Sequence, residues 1–304
     1  MTRSLLAVVG PTASGKSALG VALARELGAE VINADSMQLY RGMDIGTAKL
    51  TQAERGGVPH HLLDIWDVRE PAAVAEYQRL ARDRIAVLQA ADRAAVLVGG
   101  SGLYVRAVLD DLAFPGTDPA VRGRLESEAA DAEPGALHAR LAALDPQAAA
   151  RILPGNTRRI VRALEVIELT GAAFTASLPA PVYRQPALQI GLRVDRDELD
   201  RRITERVAAM WEAGFVAEVA GLAVDGLREG RTASRALGYA QVLDQLDGRC
   251  SAEEARQATV AATRKFARRQ ERWFARDPRV AWLDGLRPDL VAAALRLVAE
   301  QPES

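Results

Sequence analysis

Lysine is nearly absent from this chain. The only lysines among its 39 basic residues are Lys16, Lys49 and Lys265; the rest are arginine. A composition bias accounts for the trend, but a lysine that persists against it marks a place where a compact ammonium is needed. Cysteine is scarcer still. One residue, Cys250, excludes an intramolecular disulfide framework. With only three histidines besides, there are too few soft ligands for an ordinary structural zinc site. No apolar run approaches the ~20 residues of a membrane helix, so no membrane partner is expected. Met1–Ser4 leads at once into a short apolar run, which reads as a strand rather than a signal peptide, and a cytoplasmic protein is expected. Net charge is −1, so any site for a polyanion must be a local concentration of charge. What is present, 49% hydrophobic and 26% charged residues in 304, is the composition of a folded protein of one large or two ordinary domains.

Leu5 to Val9 reads as a buried parallel strand, and Ser17 to Leu27 as a helix stopped by Gly28. A second strand begins at Val31 and ends near Asp35. Val74, Tyr77, Ala81, Ile85 and Leu88 step by three and four, as an amphipathic helix requires. Ala94 to Val98 is a further buried strand, closed by Gly99-Gly100. This alternation implies an α/β layer on a parallel sheet, with its site at the carboxyl ends of the strands. It stops at Phe114-Pro115-Gly116. Helical segments follow over 121–132, 135–144 and 157–169, and then a passage through Pro179, Pro181 and Pro186. Leu188 to Val194 resumes as strand. Roughly 70 residues bracketed by proline and glycine thus look inserted. The remainder reads as helical, with Leu199, Ile203, Val207 and Met210 on one face.

Gly10-Pro11-Thr12-Ala13-Ser14-Gly15-Lys16-Ser17 matches G-x-x-x-x-G-K-[ST] between a strand and a helix. Glycines let successive N–H groups turn inward on an anion, and the following helix adds its positive end. Lys16 brings a mobile charge to terminal phosphates, and the Ser17 hydroxyl is placed to ligate Mg²⁺. A hydrolytic NTPase would normally end a later strand on an aspartate. Here that strand runs Val96-Leu97-Val98-Gly99-Gly100-Ser101, and no Asn-Lys-x-Asp motif is present. The bound polyphosphate is therefore better read as a leaving group than as a hydrolysed nucleotide. Asp35, after the second strand, can accept a proton from a nucleophile or serve as an ordinary turn carboxylate; position alone does not choose. His60 and His61 are adjacent, so on extended chain they face opposite ways and do not share one metal. At least one is structural.

Several motifs together resemble the tRNA dimethylallyltransferases of bacterial type. They are the phosphate loop, Asp35-Ser36-Met37-Gln38-Leu39-Tyr40, Gly46-Thr47-Ala48-Lys49, Pro59-His60-His61-Leu62-Leu63-Asp64 and Gly99-Gly100-Ser101-Gly102-Leu103-Tyr104. Arg158-Arg159-Ile160-Val161-Arg162 is similar to the family's inserted helical domain. Arg235-Ala236-Leu237-Gly238-Tyr239 and the stretch Thr263 to Gln270 resemble its later motifs. The resemblance implies a P-loop NTPase-like parallel-sheet core over 1–115 and 187–304, and an inserted helical tRNA-binding domain over 116–186. It implies transfer of a dimethylallyl group from its diphosphate to N6 of the adenine 3′ of the anticodon, position 37, in tRNAs reading codons that start with U. Pyrophosphate leaves and Mg²⁺ assists. By position, Gly10 to Ser17 would hold the diphosphate, aided by Arg202 or Arg206. Asp35 would be the base, with Thr12 and Ser101 also catalytic. Ser36, Met37, Gln38, Ser101, Arg235, Gly238, Tyr239 and Arg269 would join Asp35 in touching tRNA. Ser101 stands where the family usually has threonine, and Ala240 where it tends to have a basic residue.

The RNA contacts also have a reading from spacing. Arg264, Arg268, Arg272 and Arg276 recur every four residues, which lays one basic stripe along a helix whose buried side is Val260, Phe266 and Trp273. Arg158, Arg159 and Arg162 make a smaller patch. Two such surfaces suit a clamp on a tRNA anticodon stem-loop, and a monomer is expected. Two rival readings remain: a phosphate-loop kinase, which would not need the arginines, and a non-catalytic RNA-binding module, which would not need Lys16, Ser17 and Asp35 together.

Overall fold

The computed structural model describes residues 5–174 and 178–301. Met1–Ser4, read above as the lead into the first strand, lie outside them. The chain forms two compact units, Met1–Asp111 with Val182–Ser304, and Leu112–Pro181.

The first unit is a six-stranded sheet between helices. In chain order its first half runs β1 (Leu5–Val9), α1 (Lys16–Leu27), β2 (Glu30–Asn33), β3 (His60–His61), α2 (Val74–Ala90), β4 (Ala95–Gly99) and α3 (Gly102–Leu109). The strand order is β3-β2-β4-β1 and every pairing is parallel. Residues of β1 alternate between two cores, as a strand buried on both faces must. Leu5, Ala7 and Val9 join a cluster with α2 and α3, while Leu6 and Val8 join one with α1. Register then decides where the loops emerge. Val9 lies beside Gly99, and Asn33 beside Val98, so the chain leaves β1, β2 and β4 at one edge. Gly99 is needed for this: a Cβ there would stand 2.2 Å from the Ala34 carbonyl oxygen.

The second unit is helical: α4 (Pro119–Asp131), α5 (Ala136–Leu144), α6 (Pro146–Arg151) and α7 (Thr157–Thr170). Its core is Leu125, Leu141, Ile152, Ile160, Val161 and Leu164. Within it Glu165 is wholly buried. It accepts hydrogen bonds from Thr117 Oγ1 and the Asp118 N–H and pairs with Arg122 and Arg162. Burial alone would raise its carboxyl, but the bonds from Thr117, Arg122 and Arg162 prevail and hold it at about 2.

The chain returns through β5 (Ala187–Arg193), α8 (Arg196–Glu212), α9 (Phe215–Val224), α10 (Tyr239–Leu246), α11 (Ala252–Phe274), β6 (Val280–Asp284) and α12 (Leu290–Ala299). β5 pairs with β1, and β6 with β5, both parallel. The expected parallel α/β core with a helical insertion is therefore what forms, with one correction. The last third is not all helix, because Val280–Asp284 extends the sheet as its edge strand. No single helix among the described residues is long and apolar enough to cross a membrane.

Candidate active site

At the carboxyl edge of the sheet lies a cavity of about 310 Å³. The loop after β1 supplies Thr12, Lys16 and Ser17 to its wall, and the loop after β2 supplies Asp35, Ser36, Met37 and Gln38. Gly15 turns the chain into α1 with φ +91°, a left-handed conformation that glycine adopts without strain. Lys16 thereby opens the helix, with its ammonium donating to the Pro11 carbonyl at 3.2 Å. Burial lowers this ammonium to about 8; the Asp35 carboxylate pulls it upward and Arg206 pushes it down. Arg206, on α8, also lines the cavity, and its own guanidinium is lowered by burial and raised by Asp35. Two cations and a carboxylate thus act on one another around a single space. Ser14 Oγ is fully buried in the same loop and has no hydrogen-bond partner. Gly10, Pro11, Ala13 and Gly15 shape the loop without lining the cavity.

Asp35 makes the turn contact and also lines the cavity. Its Oδ1 accepts the Met37 N–H at 2.9 Å, a turn cap, and the residue still faces the cavity. Asn33 fixes the turn, accepting the Asp35 N–H at 2.9 Å and donating to the Asp35 and Leu62 carbonyls, each at 3.0 Å. Ser101 does not line the cavity. Its Oγ accepts the Ser36 N–H at 3.1 Å and donates to Ser36 Oγ at 3.2 Å, so it braces the Asp35 loop from behind.

Of the two candidate arginines on α8, the structure brings only Arg206 to the cavity. Arg202 Nε instead donates to Glu198, one turn back, at 2.6 Å. Tyr239 is fully buried and gives its hydroxyl to Glu218 at 2.6 Å. The same carboxylate accepts the Asp44, Ile45 and Gly46 N–H groups at 3.1, 2.7 and 3.2 Å. Tyr239 is therefore part of a wall, with its ring packed edge-on against Phe215. Arg235, exposed, and Gly238 also border the cavity. Lys49 closes the neighbouring loop. Its buried ammonium donates to the Tyr40 carbonyl at 3.0 Å and to Asp44 and Asp64 at 2.5 Å each. His61 pairs with Glu30, while His60 faces the cavity and bonds the Val58 carbonyl at 2.9 Å. The two rings do point apart.

The basic surfaces need more correction. α11 ends at Phe274, so Arg276 lies beyond the helix and extends no stripe. The buried seam is Ala255, Thr259, Ala267, Gln270 and Phe274, whereas Trp273 is 36% exposed. Arg264 and Arg268 both reach Asp200 on α8, at 3.8 and 3.5 Å. Arg272 is exposed, its Nε donating to the Arg268 carbonyl at 3.3 Å. Arg269 stacks on Phe266 at 5.1 Å and borders the cavity. In the insertion, Ile160 and Val161 face the core and Arg162 is spent on Glu165 and the Pro115 and Gly116 carbonyls. Arg158 and Arg159 are exposed. The arginine spacing did not single out Gln270, a neutral residue on the buried seam. Its side chain ties the phosphate loop to Gly100.

Residues 38–277 match the model of a family described as IPP transferase. A tRNA dimethylallyltransferase of Thermobifida fusca is 65% identical over 99% of this chain and 96% of its own length. A Streptomyces coelicolor protein of the same name is 65% identical over 98% and 96%. Among solved structures, the tRNA isopentenylpyrophosphate transferase of Bacillus halodurans is 41% identical, with a TM-score of 0.73 over 98% of this chain and 96% of that one. A eukaryotic dimethylallyltransferase acting on tRNA shares the fold at 24% identity, with a TM-score of 0.84 over 99% and 80%. On the extent and identity of these matches, the chain belongs to the IPP transferase family.

Proposed function

We propose that the protein transfers a dimethylallyl group from dimethylallyl diphosphate to N6 of adenine 37 in the anticodon loop of tRNAs that read codons starting with U, releasing pyrophosphate. The observation that carries this reading is the grouping of Lys16, Arg206 and Asp35 around one cavity whose mixed wall also includes the apolar Val207, Met210, Phe215 and Leu237. Neighbouring cations suit a diphosphate, and apolar side chains suit the five-carbon chain attached to it. As the C–O bond to the diphosphate lengthens, Lys16 and Arg206 stabilise the charge gathering on the departing oxygens. Asp35 takes a proton from the N6 amine as nitrogen attacks the allylic carbon. The adenine must be unpaired to present that edge, which favours a loop base drawn into the cavity.

The donor set also fits Mg²⁺ of the kind held mainly by substrate. The Ser17 hydroxyl and the Asp35 carboxylate line the cavity, and no group of three or more His, Cys, Asp or Glu side chains is placed to hold a metal among the described residues. Ser17 would hold the ion, and bound Mg²⁺ would supply further charge neutralisation at the diphosphate. Arg269, Arg272, Arg158 and Arg159 are exposed basic side chains suited to meet RNA phosphates.

The test is to incubate the protein with Mg²⁺, ATP, an anticodon stem-loop and dimethylallyl diphosphate carrying label in its allylic carbons. Carbon label on the RNA is expected. Phosphate moved from ATP with no carbon transfer would favour the kinase instead, and RNA binding without either would favour a binding module.

A further inference from the structure

Gln270 occupies a position between two loops that no spacing rule anticipates. It sits on the buried face of α11, 5% exposed. Its Oε1 accepts the Thr12 N–H at 2.9 Å, and its Nε2 donates to the Gly100 carbonyl at 2.9 Å. One planar amide therefore joins the phosphate loop after β1 to the glycine loop after β4. The bond to Gly100 is buried and the bond from Thr12 is partly so, and losing a partner costs more there than at the surface. Gly100 is shaped around it, since a Cβ there would stand 2.3 Å from Nε2. The loop has a second anchor on the same helix pair: Ala13 packs against the cluster of Leu199, Ile203 and Ala267 from α8 and α11. α8 also carries Arg206, and α11 presents Arg269 to the cavity one residue before Gln270.

The bond to Thr12 has a directional consequence. In a phosphate loop the backbone N–H groups are the anion's ligands. Here the Thr12 N–H is taken by Gln270 and is not one of those that face the anion. The Gln270 amide sets the plane of the Thr12 peptide and, through it, the aim of the N–H groups that follow.

We infer that Gln270 is a positioning residue for the diphosphate, holding the phosphate loop in its anion-binding curvature from α11. The inference rests on the proposed diphosphate site and deepens it. Loss of the amide should slacken the loop and weaken diphosphate capture while leaving RNA capture alone.

The experiment measures binding of inorganic pyrophosphate with Mg²⁺ to the full-length protein by calorimetry, for wild type, Gln270→Met and Gln270→Glu. Methionine keeps the volume and makes neither bond; glutamate keeps an acceptor for the Thr12 N–H but as a carboxylate cannot donate to Gly100. Gln270→Met should weaken pyrophosphate binding about tenfold, the scale of a lost buried hydrogen bond, and raise KM for dimethylallyl diphosphate similarly. KM for an anticodon stem-loop should stay within about twofold. If methionine proves incompatible with folding, judged by melting, Gln270→Glu decides the matter, and it too should bind pyrophosphate more weakly than wild type. A cycle with Gly100→Ala adds a readout that general loosening would not give. The added methyl should displace the Gln270 amide, so Gly100→Ala and Gln270→Ala combined should cost less than the sum of the two. Wild-type pyrophosphate affinity in the folded variants, or equal losses for diphosphate and RNA, would overturn the assignment. Pyrophosphate binding does not require prenyl transfer, so a wild-type protein that binds pyrophosphate yet moves no label onto RNA overturns the proposed reaction and not the role of Gln270.

Discussion

Lys16 and Asp35 face the same cavity, and the carboxylate is the stronger of the two charges acting on the ammonium. Burial lowers Lys16 to about 8, Asp35 works against that fall, and Arg206 adds to it. The pair therefore links the group that would hold the diphosphate to the group that would take the proton.

Asp35→Asn should separate the two roles. Single-turnover transfer should fall about 10²-fold or more, the usual loss of a general base, while binding of dimethylallyl diphosphate changes far less. Removing the carboxylate also removes the upward pull on Lys16, so the basic limb of the binding profile should move to lower pH. A transfer rate equal to wild type would rule Asp35 out as the base.

The sign of the Lys16 effect follows from its direction. An ammonium near 8 in the folded protein is charged below that pH and loses its proton above it. Pyrophosphate affinity should accordingly decline as pH rises through about 7 to 9. In Lys16→Ala affinity should be low throughout and this decline should disappear, with stem-loop affinity retained. A variant that keeps the wild-type profile would place the titrating group elsewhere.

The two arginines of α8 should behave differently despite being one turn apart. Arg206→Ala removes a cavity cation and should raise KM for the diphosphate substrate about tenfold or more, the scale of a charge-assisted hydrogen bond. Arg202→Ala breaks a half-buried pair with Glu198 that does not line the cavity and should leave KM near wild type. Steady-state kinetics on the two variants gives the comparison directly, and the reverse order would show that Arg202 swings inward.

For α11 the expectation is electrostatic. Arg268→Ala with Arg272→Ala should weaken stem-loop binding and flatten the slope of log K against log salt by roughly 1 to 2 units. The Asp200 carboxylate lies near Arg264 and Arg268, so Asp200→Asn should remove its opposing charge and tighten RNA binding. Melting curves run alongside distinguish lost contacts from lost stability. A folded double variant with an unaltered slope would remove this helix from the RNA surface.

Much of the core was legible because parallel strands buried on both faces are written as continuous apolar runs. β1 and β4 show this plainly, and the phosphate loop stands between a legible strand and a legible helix. β3 is two histidines long and has no period to read. β6 was missed although Val280-Ala281-Trp282-Leu283 is an apolar run: at four residues, directly after a long helix, it is too short to tell from helix by periodicity, and as an edge strand it is only partly buried. The arginine spacing of α11 was visible, but its partner Asp200 lies on another helix, and pairing between helices leaves no local trace. Ile160 and Val161 fell within a motif dominated by arginines; the helical period, with Leu164, puts them inside. Gln270 falls on the three-and-four spacing of the buried α11 seam with Ala267 and Phe274, but an uncharged amide beside arginines signals no role, and the approach of two loops reveals it.

Lys49 bears on how the cavity breathes. Its three N–H donors meet three oxygens, from Tyr40, Asp44 and Asp64, and Gln38 donates to the Thr47 carbonyl beside it at 3.1 Å. A guanidinium is planar and larger, and could not fill that tetrahedral site. Segments 44–49 and 62–64 are thus riveted at one buried point, and neither can lift alone without stranding charge. Local opening of this wall should be rare, so its backbone amides should exchange with solvent deuterium on nearly the timescale of global unfolding. Substrate entry would then depend on movement of α8, α11 or the 235–239 segment, leaving the Lys49 side of the chamber as its fixed half.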